Sequence, residues 1–171
     1  TLLYRWQGSD PSLAPILLTG HYDVVPVIPG TEERWEQDPF AGVISNNRIW
    51  GRGALDDKSG VIGMYEAATH LIQNDFQPTR TVYFSFGHDE EIGGGGAALV
   101  ADKLKSAGIQ LHWSLDEGSF VNKGFFPGVE KLVAPINVAE KGIMNLLIAA
   151  KAAGGHSSTP PKKTAVNILA D

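Results

Sequence analysis

The chain has 171 residues, 43% of them hydrophobic, and its 14 basic and 19 acidic side chains give a formal net charge of −5. This composition supports a packed core of one domain or slightly more and excludes a disordered chain. An acidic chain without a Lys/Arg block argues against a nucleic-acid surface, because nothing offsets repulsion by phosphates. No apolar stretch reaches the ~18 residues of a membrane span, and the absence of cysteine excludes disulfides and thiolate chemistry.

Both ends of the chain indicate a piece of a longer protein. It begins with Thr1, without an initiator Met or a signal-peptide pattern, and it stops at Asp171 within a predicted helix over residues 164–170. We therefore expect further segments on both sides, and the compartment of the intact protein stays open.

The predicted elements alternate between strand and helix along most of the chain. Buried or β-branched runs predict strands, and apolar residues at helical spacing predict helices. In chain order they are a strand over 15–20, a hairpin over 43–50 that turns at two Asn residues, a helix from 59 to 72, a strand over 80–87, a helix over 97–104 and a strand over 110–115. This alternation predicts an α/β fold with a mainly parallel (mixed) sheet covered by helices on both faces.

The pattern changes after about Pro135. Residues 136–140 and 144–152 are predicted as two successive strands without an intervening helix. We therefore place a boundary near Val138, with a first domain over residues 1–137 and the truncated beginning of an α+β domain over residues 138–171.

Residues able to bind a metal follow three of the predicted strands. In chain order they are His21 and Asp23, Glu90 and Glu91, and Asp116. Because ligands collect at the carboxyl ends of parallel strands, these side chains are expected to meet in space. Asp56, the first of an Asp pair before a helix, is a further candidate, although Asp is also a common helix cap.

The chemistry of this set favours two divalent cations. One histidine with at least three carboxylates carries too much negative charge for a single tetrahedral zinc, but it suits two ions about 3.5–4 Å apart that share a carboxylate. Asp23 can accept the free ring N–H of His21. Glu90 and Glu91 point in different directions, so one can bind metal while the other takes a proton from water. Each residue alone is more often an ordinary histidine or a solvated loop carboxylate.

Four motifs occur in the order of a known enzyme family. They are residues 19–26 (TGHYDVVP), 50–60 (WGRGALDDKSG), 87–91 (GHDEE) and 154–158 (GGHSS). The chain resembles the co-catalytic zinc metallopeptidases of the aminoacylase, glutamate carboxypeptidase and desuccinylase type. It is most similar to the branch of carboxypeptidase S (Gly-X carboxypeptidase) and the N-fatty-acyl-amino-acid hydrolases.

The resemblance implies a role for each matching residue. The implied metal ligands are His21, Asp56 as the bridge, Glu91 and Asp116. The implied catalytic residues are Glu90 as general base, Asp23, which orients His21, and His156 of the second domain, which stabilises the oxyanion or the substrate. The peptide bond after Asp56 is typically cis in such enzymes.

The resemblance also implies an activity and its cofactors. We expect a metal-dependent hydrolase, a carboxypeptidase or N-acyl-amino-acid hydrolase, in which water activated by two metal ions attacks an amide and Glu90 is the base. Its substrates would be small peptides or N-acyl amino acids with a free carboxylate. Zinc is the expected metal, with cobalt and manganese as alternatives.

Two other functions are compatible with the same residues. A small-molecule deacylase such as a desuccinylase is an alternative within the family, and a non-catalytic metal-binding fragment is an alternative outside catalysis. The second domain corresponds to a lid or dimerisation domain, which allows a homodimer. The second zinc in this family also uses a histidine far downstream, so we expect little activity from this chain alone.

Overall fold

The computed structural model describes residues 1–118 and 120–171. The strands are β1 (Leu2–Trp6), β2 (Ile16–His21), β3 (Val43–Ser45), β4 (Arg48–Trp50), β5 (Val82–Gly87), β6 (Trp113–Leu115), β7 (Asn122–Lys123) and β8 (Leu132–Val133). The α-helices are α1 (Lys58–Gln73), α2 (Gly96–Ser106) and α3 (Ala165–Ala170), and a short 3-10 helix spans Glu32–Arg34.

The main sheet has the strand order β1-β5-β2-β6. Strand β2 is parallel to both of its neighbours, and β1 is antiparallel to β5. The parallel strands therefore end at one edge of the sheet, where His21 of β2 is in register with Gly87 of β5. This mixed sheet confirms the predicted α/β fold. Strand β1 was not predicted. It is an edge strand of the main sheet that pairs with β5, and its own residues show no clear strand pattern.

Alternate residues of β5 face two different helices, so both faces of the sheet are covered. Tyr83 packs in a buried cluster with Val100 and Leu104 of α2. On the opposite face Phe86 is 1% exposed, and its ring centroid lies 4.8 Å from that of Tyr65 in α1. The core thus holds β5 in place from both sides, and with it the start of the loop that follows.

The predicted hairpin is confirmed as β3 and β4. Asn46 and Asn47 form its turn with φ angles of 51° and 58°, the left-handed values that Asn tolerates in two-residue hairpins. Beyond β4, the Arg52 N–H donates to the Pro39 carbonyl at 2.7 Å. This bond ties the segment after the hairpin to the preceding loop.

The two strands predicted over 136–140 and 144–152 are wrong, because these residues form neither strand nor helix. A strand needs a neighbouring strand to satisfy its backbone groups, and none of the strand pairs among the described residues includes either segment. Val138 and Leu147 are each 93% exposed. The predicted helix near the end is α3, where Thr164 and Asn167 form a capping box. The boundary near residue 138 stays a prediction.

Within the part of the chain that the structure describes, no helix is long and apolar enough to cross a membrane.

Candidate metal centre

One histidine and several carboxylates converge at the carboxyl end of the parallel strands. His21 is the last residue of β2, and Glu90 and Glu91 lie in the loop after β5. Asp56 lies just before α1, and Glu117 lies in the loop after β6. Four separate segments thus contribute to one site, and three of them follow parallel strands that end at the same edge of the sheet.

His21 occupies the centre of this site and is only 2% exposed. Its Nε2 atom lies 3.0 Å from Asp56 Oδ1, 3.2 Å from Glu117 Oε1 and 3.9 Å from Glu90 Oε2. On the other side of the ring, Nδ1 bonds to the backbone oxygen of Asp23 at 3.2 Å. Since a carbonyl oxygen only accepts, this bond places a proton on Nδ1, and Nε2 is directed at the carboxylates.

Asp23 holds the loop that carries the two glutamates. Its Oδ2 atom accepts the Glu91 N–H at 3.1 Å, and its Oδ1 atom lies 3.3 Å from His21 Nδ1 without forming a hydrogen bond. Burial raises the pKa of Asp23, but the backbone donors of Glu91 and Glu90 outweigh it and lower the pKa below its ordinary value. The hydrogen bond to the His21 ring thus comes from the Asp23 backbone oxygen rather than from its carboxylate, and the role of Asp23 in orienting His21 for catalysis stays a prediction.

The carboxylates of Asp56 and Asp57 contact different parts of His21. The peptide bond between them is cis, as the resemblance implied. Asp57 is 7% exposed, and its Oδ2 atom accepts the His21 backbone N–H at 3.2 Å. Gly20 leaves room for this carboxylate, because a Cβ atom at that position would lie 2.5 Å from Asp57 Oδ2. Asp57 thus fixes the end of β2, while Asp56 faces the His21 ring.

The site holds more negative charge than its histidine can balance. Burial, together with Asp57, Asp56 and Glu90, raises the pKa of Glu117 to about 7 despite the opposing effect of His21. Burial also raises the pKa of Glu90. The neighbouring carboxylates of Glu91, Asp23 and Asp56 raise it further. Burial lowers the pKa of His21, but Glu117, Asp56 and Glu90 together raise it above its ordinary value.

The nitrogen and oxygen atoms of this site are suitable ligands for a divalent cation. The Nε2 lone pair and Asp56 Oδ1 are both acceptors, so a proton or a cation must lie between them for the contact to be favourable. Ligand atoms within 4.8 Å of one another form two groups, one of His21, Asp56 and Glu91 and one of His21, Glu90 and Glu117. Imidazole with carboxylates suits zinc, and carboxylates also accept manganese.

Comparison with known sequences gives the family. The sequence profile of the peptidase family M20/M25/M40 matches residues 17–163. The chain belongs to this family. The assignment confirms the resemblance seen in the four motifs.

Relatives of the M20 chain include both enzyme types of the suspected branch. It is 46% identical over 168 residues to the N-fatty-acyl-amino acid synthase/hydrolase PM20D1 of Homo sapiens, with 98% of the chain and 33% of the relative aligned. It is 40% identical over 173 residues to the probable carboxypeptidase S-like 2 of Dictyostelium discoideum, covering 99% of the chain and 33% of the relative. The M20 chain thus spans about a third of the length of these relatives.

Solved structures share its fold. The M20 family metallo-carboxypeptidase Sso-CP2 from Sulfolobus solfataricus superposes with a TM-score of 0.58 at 27% identity, over 70% of this chain and 26% of that protein. Human carnosine dipeptidase 1 gives a TM-score of 0.57 at 24% identity, over 71% of this chain and 26% of that protein. The second likeness concerns the fold alone.

The structure of the M20 chain brings together His21, Asp56, Glu90 and Glu91 but not Asp116. The Oδ1 atom of Asp116 accepts the N–H of Glu117, and Asp116 belongs to neither group of candidate ligands, although it borders the same cavity. Glu117 is the acid of this loop that approaches the His21 ring, with Oε1 3.2 Å from Nε2, and the role of Asp116 as a metal ligand stays a prediction. Strand β6 ends at Leu115, so the alternation of a strand does not decide which of two adjacent acids turns inward.

His156 lies apart from these groups. It occupies an exposed turn in the GGHSS motif, where its Nδ1 atom is 2.8 Å from Ser158 Oγ. It belongs to neither group of candidate ligands, and its role in catalysis stays a prediction.

Proposed function

We propose that the chain forms the metal-binding part of the active site of a hydrolase that cleaves amide or peptide bonds. Its substrates would carry a free carboxylate, as do peptides cleaved by a carboxypeptidase and N-acyl amino acids. The observation that carries this proposal is the position of His21 Nε2, a buried ligand atom with Asp56 at 3.0 Å and Glu117 at 3.2 Å. Membership of a peptidase family supports the reaction type.

The proposed ligands divide between two divalent ions. His21, Asp56 and Glu117 would hold the first ion, since both carboxylates approach the same nitrogen. We assign Asp56 and Glu91 to the second ion because their ligand atoms lie within 4.8 Å of each other, and Asp56 would then be the bridge. We propose zinc for both ions because the set combines imidazole with carboxylates, and cobalt or manganese are the alternatives.

Bound ions would supply Lewis acidity, which polarises the scissile carbonyl and makes a nearby water more acidic. Glu90 would take the proton of that water and return it to the leaving amine. Its Oε2 atom lies 3.9 Å from His21 Nε2, slightly farther away than the proposed ligand atoms of Asp56 and Glu117. The raised pKa of Glu90, caused first by burial, brings it nearer to neutral pH, where a general base works best. His156 would donate to the oxyanion or the substrate.

The domain assignment is part of the same proposal. Residues 1–137 would form a catalytic domain, and residues 138–171 would begin a lid or dimerisation domain. The proposed metal ligands and the proposed base all lie at or before Glu117, which supports this division. A homodimer would form through the second domain.

The test is Glu90→Gln in the full-length protein, with Glu66→Gln as the control because Glu66 is exposed on α1 and lies outside both ligand groups. We expect Glu90→Gln to keep its metal, measured by elemental analysis, and to lower kcat by roughly 10²–10⁴-fold on N-acyl amino acids and blocked dipeptides. N-succinyl substrates in the same panel separate a desuccinylase. Unchanged hydrolysis in Glu90→Gln would remove the proposed mechanism.

A further inference from the structure

The loop after β5 is tied to the beginning of α2 by Asp89, the residue that precedes Glu90. One carboxylate oxygen of Asp89, Oδ2, accepts the N–H of Gly96 at 3.0 Å. Gly96 is the first residue of α2, and the residue before it, Gly95, provides no side chain to bond the free N–H groups of the helix. Asp89 therefore caps α2 from a position seven residues earlier in the chain.

Two backbone hydrogen bonds close the same loop. The backbone oxygen of Asp89 accepts the Gly94 N–H at 2.8 Å, and the backbone oxygen of Glu90 accepts the Gly93 N–H at 2.8 Å. Gly93 has a φ angle of 63°, a left-handed value that favours glycine. The chain thus turns back directly after the two glutamates, which brings Gly94 against Asp89.

The Asp89 carboxylate occupies space that two glycines of the run 93–96 leave open. A Cβ atom on Gly94 would overlap Asp89 Oδ2, and the three atoms nearest to it all belong to Asp89. A Cβ atom on Gly96 would also overlap the Asp89 carboxylate. A Cβ atom on Gly95, by contrast, would meet no atom within 4 Å. At Gly94 the missing side chain therefore makes room for Asp89.

The helix that Asp89 caps is part of the core. Val100 and Leu104 of α2 form a buried cluster with Tyr83. Tyr83 belongs to β5, the strand that leads into the loop. Both ends of the segment from Gly87 to Gly96 are thus attached to the same cluster of side chains.

The segment held in this way borders the metal centre. Asp89, Glu90 and Gly94 line one cavity of about 240 Å³, and His21 lines it as well. Glu90 Oε2 lies 3.9 Å from His21 Nε2, whereas Asp89 belongs to neither group of candidate ligands. A shift of the loop would therefore change the distance between Glu90 and His21.

We propose that Asp89 is a positioning residue for Glu90, because its carboxylate caps α2 and so holds the loop with Glu90 beside His21. The inference rests on the proposed hydrolase function, in which Glu90 is the general base. A displacement of about 1 Å at a reacting group can cost roughly 10²-fold in rate. Since the base acts in the transition state, the loss falls on kcat and not on KM. The role needs an oxygen acceptor at residue 89, which Asn also provides.

The first test compares Asp89→Ala with Asp89→Asn in the full-length, zinc-loaded protein. We expect Asp89→Ala to lower kcat on an N-acyl amino acid about tenfold or more with little change in KM. Asp89→Asn should restore most of the activity, because Asn and Asp cap helices about equally well. Unchanged kcat in Asp89→Ala, or an equal loss in Asp89→Asn, would overturn the proposal.

A double variant separates an effect on Glu90 from damage elsewhere. If Asp89 acts through Glu90, Asp89→Ala should lower kcat little further in a protein that already carries Glu90→Gln. Damage to another part of the site would lower kcat by the same factor in both backgrounds. Losses that multiply in the double variant would therefore overturn the proposal.

Gly94→Ala tests the same contact without changing Asp89, and it decides the question if Asp89→Ala does not fold. The added Cβ should displace the Asp89 carboxylate and lower kcat about tenfold or more. Gly95→Ala is the matched control from the same glycine run, because its Cβ meets no atom within 4 Å. Equal kcat in the two variants would contradict the proposal.

Hydrogen exchange in the metal-free protein gives a readout that does not depend on turnover. The backbone amides of residues 89–96 should exchange faster in Asp89→Ala than in Asp89→Asn or in the unchanged protein. Unchanged exchange in Asp89→Ala would show that Asp89 does not hold the loop. Faster exchange, together with a Glu90→Gln variant that hydrolyses normally, would support the anchoring by Asp89 and remove the hydrolase mechanism.

Discussion

His21 Nε2 lies 3.0 Å from Asp56 Oδ1, although 35 residues separate the two along the chain. Two hydrogen bonds and one glycine fix this arrangement. The His21 ring bonds to the Asp23 backbone oxygen, the His21 backbone N–H donates to Asp57, and Gly20 leaves space for the Asp57 carboxylate. Contacts within the protein therefore orient the candidate ligand atom of His21.

Glu117 and Asp116 allow a matched test of the ligand set. Glu117 Oε1 is 3.2 Å from His21 Nε2, whereas Asp116 belongs to neither ligand group. We expect Glu117→Gln to lower the affinity for zinc by at least about tenfold, since changes in the outer shell alone cost roughly 10–100-fold. Asp116→Asn should change it far less. Competition titration with a chromogenic chelator measures both affinities.

The reverse order of effects would restore Asp116 as the ligand. Equal losses in both variants would mean that the loop after β6 acts as a unit, which would also contradict the assignment of Glu117.

The metal-free protein should lose stability as the pH rises from about 4.5 to about 7. Burial and neighbouring carboxylates raise the pKa of Glu117 from 4.5 to about 7, so the folded state binds more protons than the unfolded state in this window. Burial lowers the pKa of His21, but Glu117, Asp56 and Glu90 raise it by more. A raised histidine pKa also favours the folded state at lower pH. Urea unfolding at a series of pH values measures the effect.

Glu117→Gln provides the control for this pH dependence. It should make the metal-free protein more stable near pH 7.5 and reduce the slope between pH 4.5 and 7, because it removes one of the crowded charges. A slope that is unchanged in Glu117→Gln would show that the pH dependence has another origin.

Gly20→Ala should destabilise the protein by about 1–3 kcal/mol, the usual result of overpacking. The added Cβ would lie 2.5 Å from Asp57 Oδ2 and 3.1 Å from Met64 Cε, so the carboxylate that holds the His21 backbone must move. Thermal unfolding measures the loss, and weaker zinc binding should accompany it.

Gly63→Ala is the matched substitution, because a Cβ at Gly63 meets no atom within 4 Å. In the middle of α1 this change should stabilise the protein by about 0.5–1 kcal/mol. If Gly20→Ala were as stable as Gly63→Ala, the close approach of Gly20 to Asp57 would not constrain the site.

Much of the fold could be predicted because its signals are local. The helix from Lys58, the strand ending at Gly87 and the hairpin at Asn46 and Asn47 each follow from periodicity or turn chemistry. Strand β1 and the missing strands after Pro135 depend on partners instead. A strand exists only where another backbone satisfies it, and a single segment does not contain that information.

The site was predictable where a residue lies at the end of a regular element. His21 ends β2, and Asp56 and the two glutamates lie in motifs with a fixed order. The approach of Glu117 to His21 does not follow from the sequence, because Asp116 and Glu117 both lie in a loop, where small changes in backbone angles decide which side chain turns inward. The bond of His21 to the Asp23 backbone was not predictable for the same reason.

Anomalous diffraction from crystals of the full-length protein grown with zinc tests the central claim most directly. The account predicts a peak bound to His21 Nε2, Asp56 and Glu117, and a second peak on the other side of Asp56 in contact with Glu91. The absence of any peak near His21 and Asp56, or a peak bound to Asp116 in place of Glu117, would contradict it.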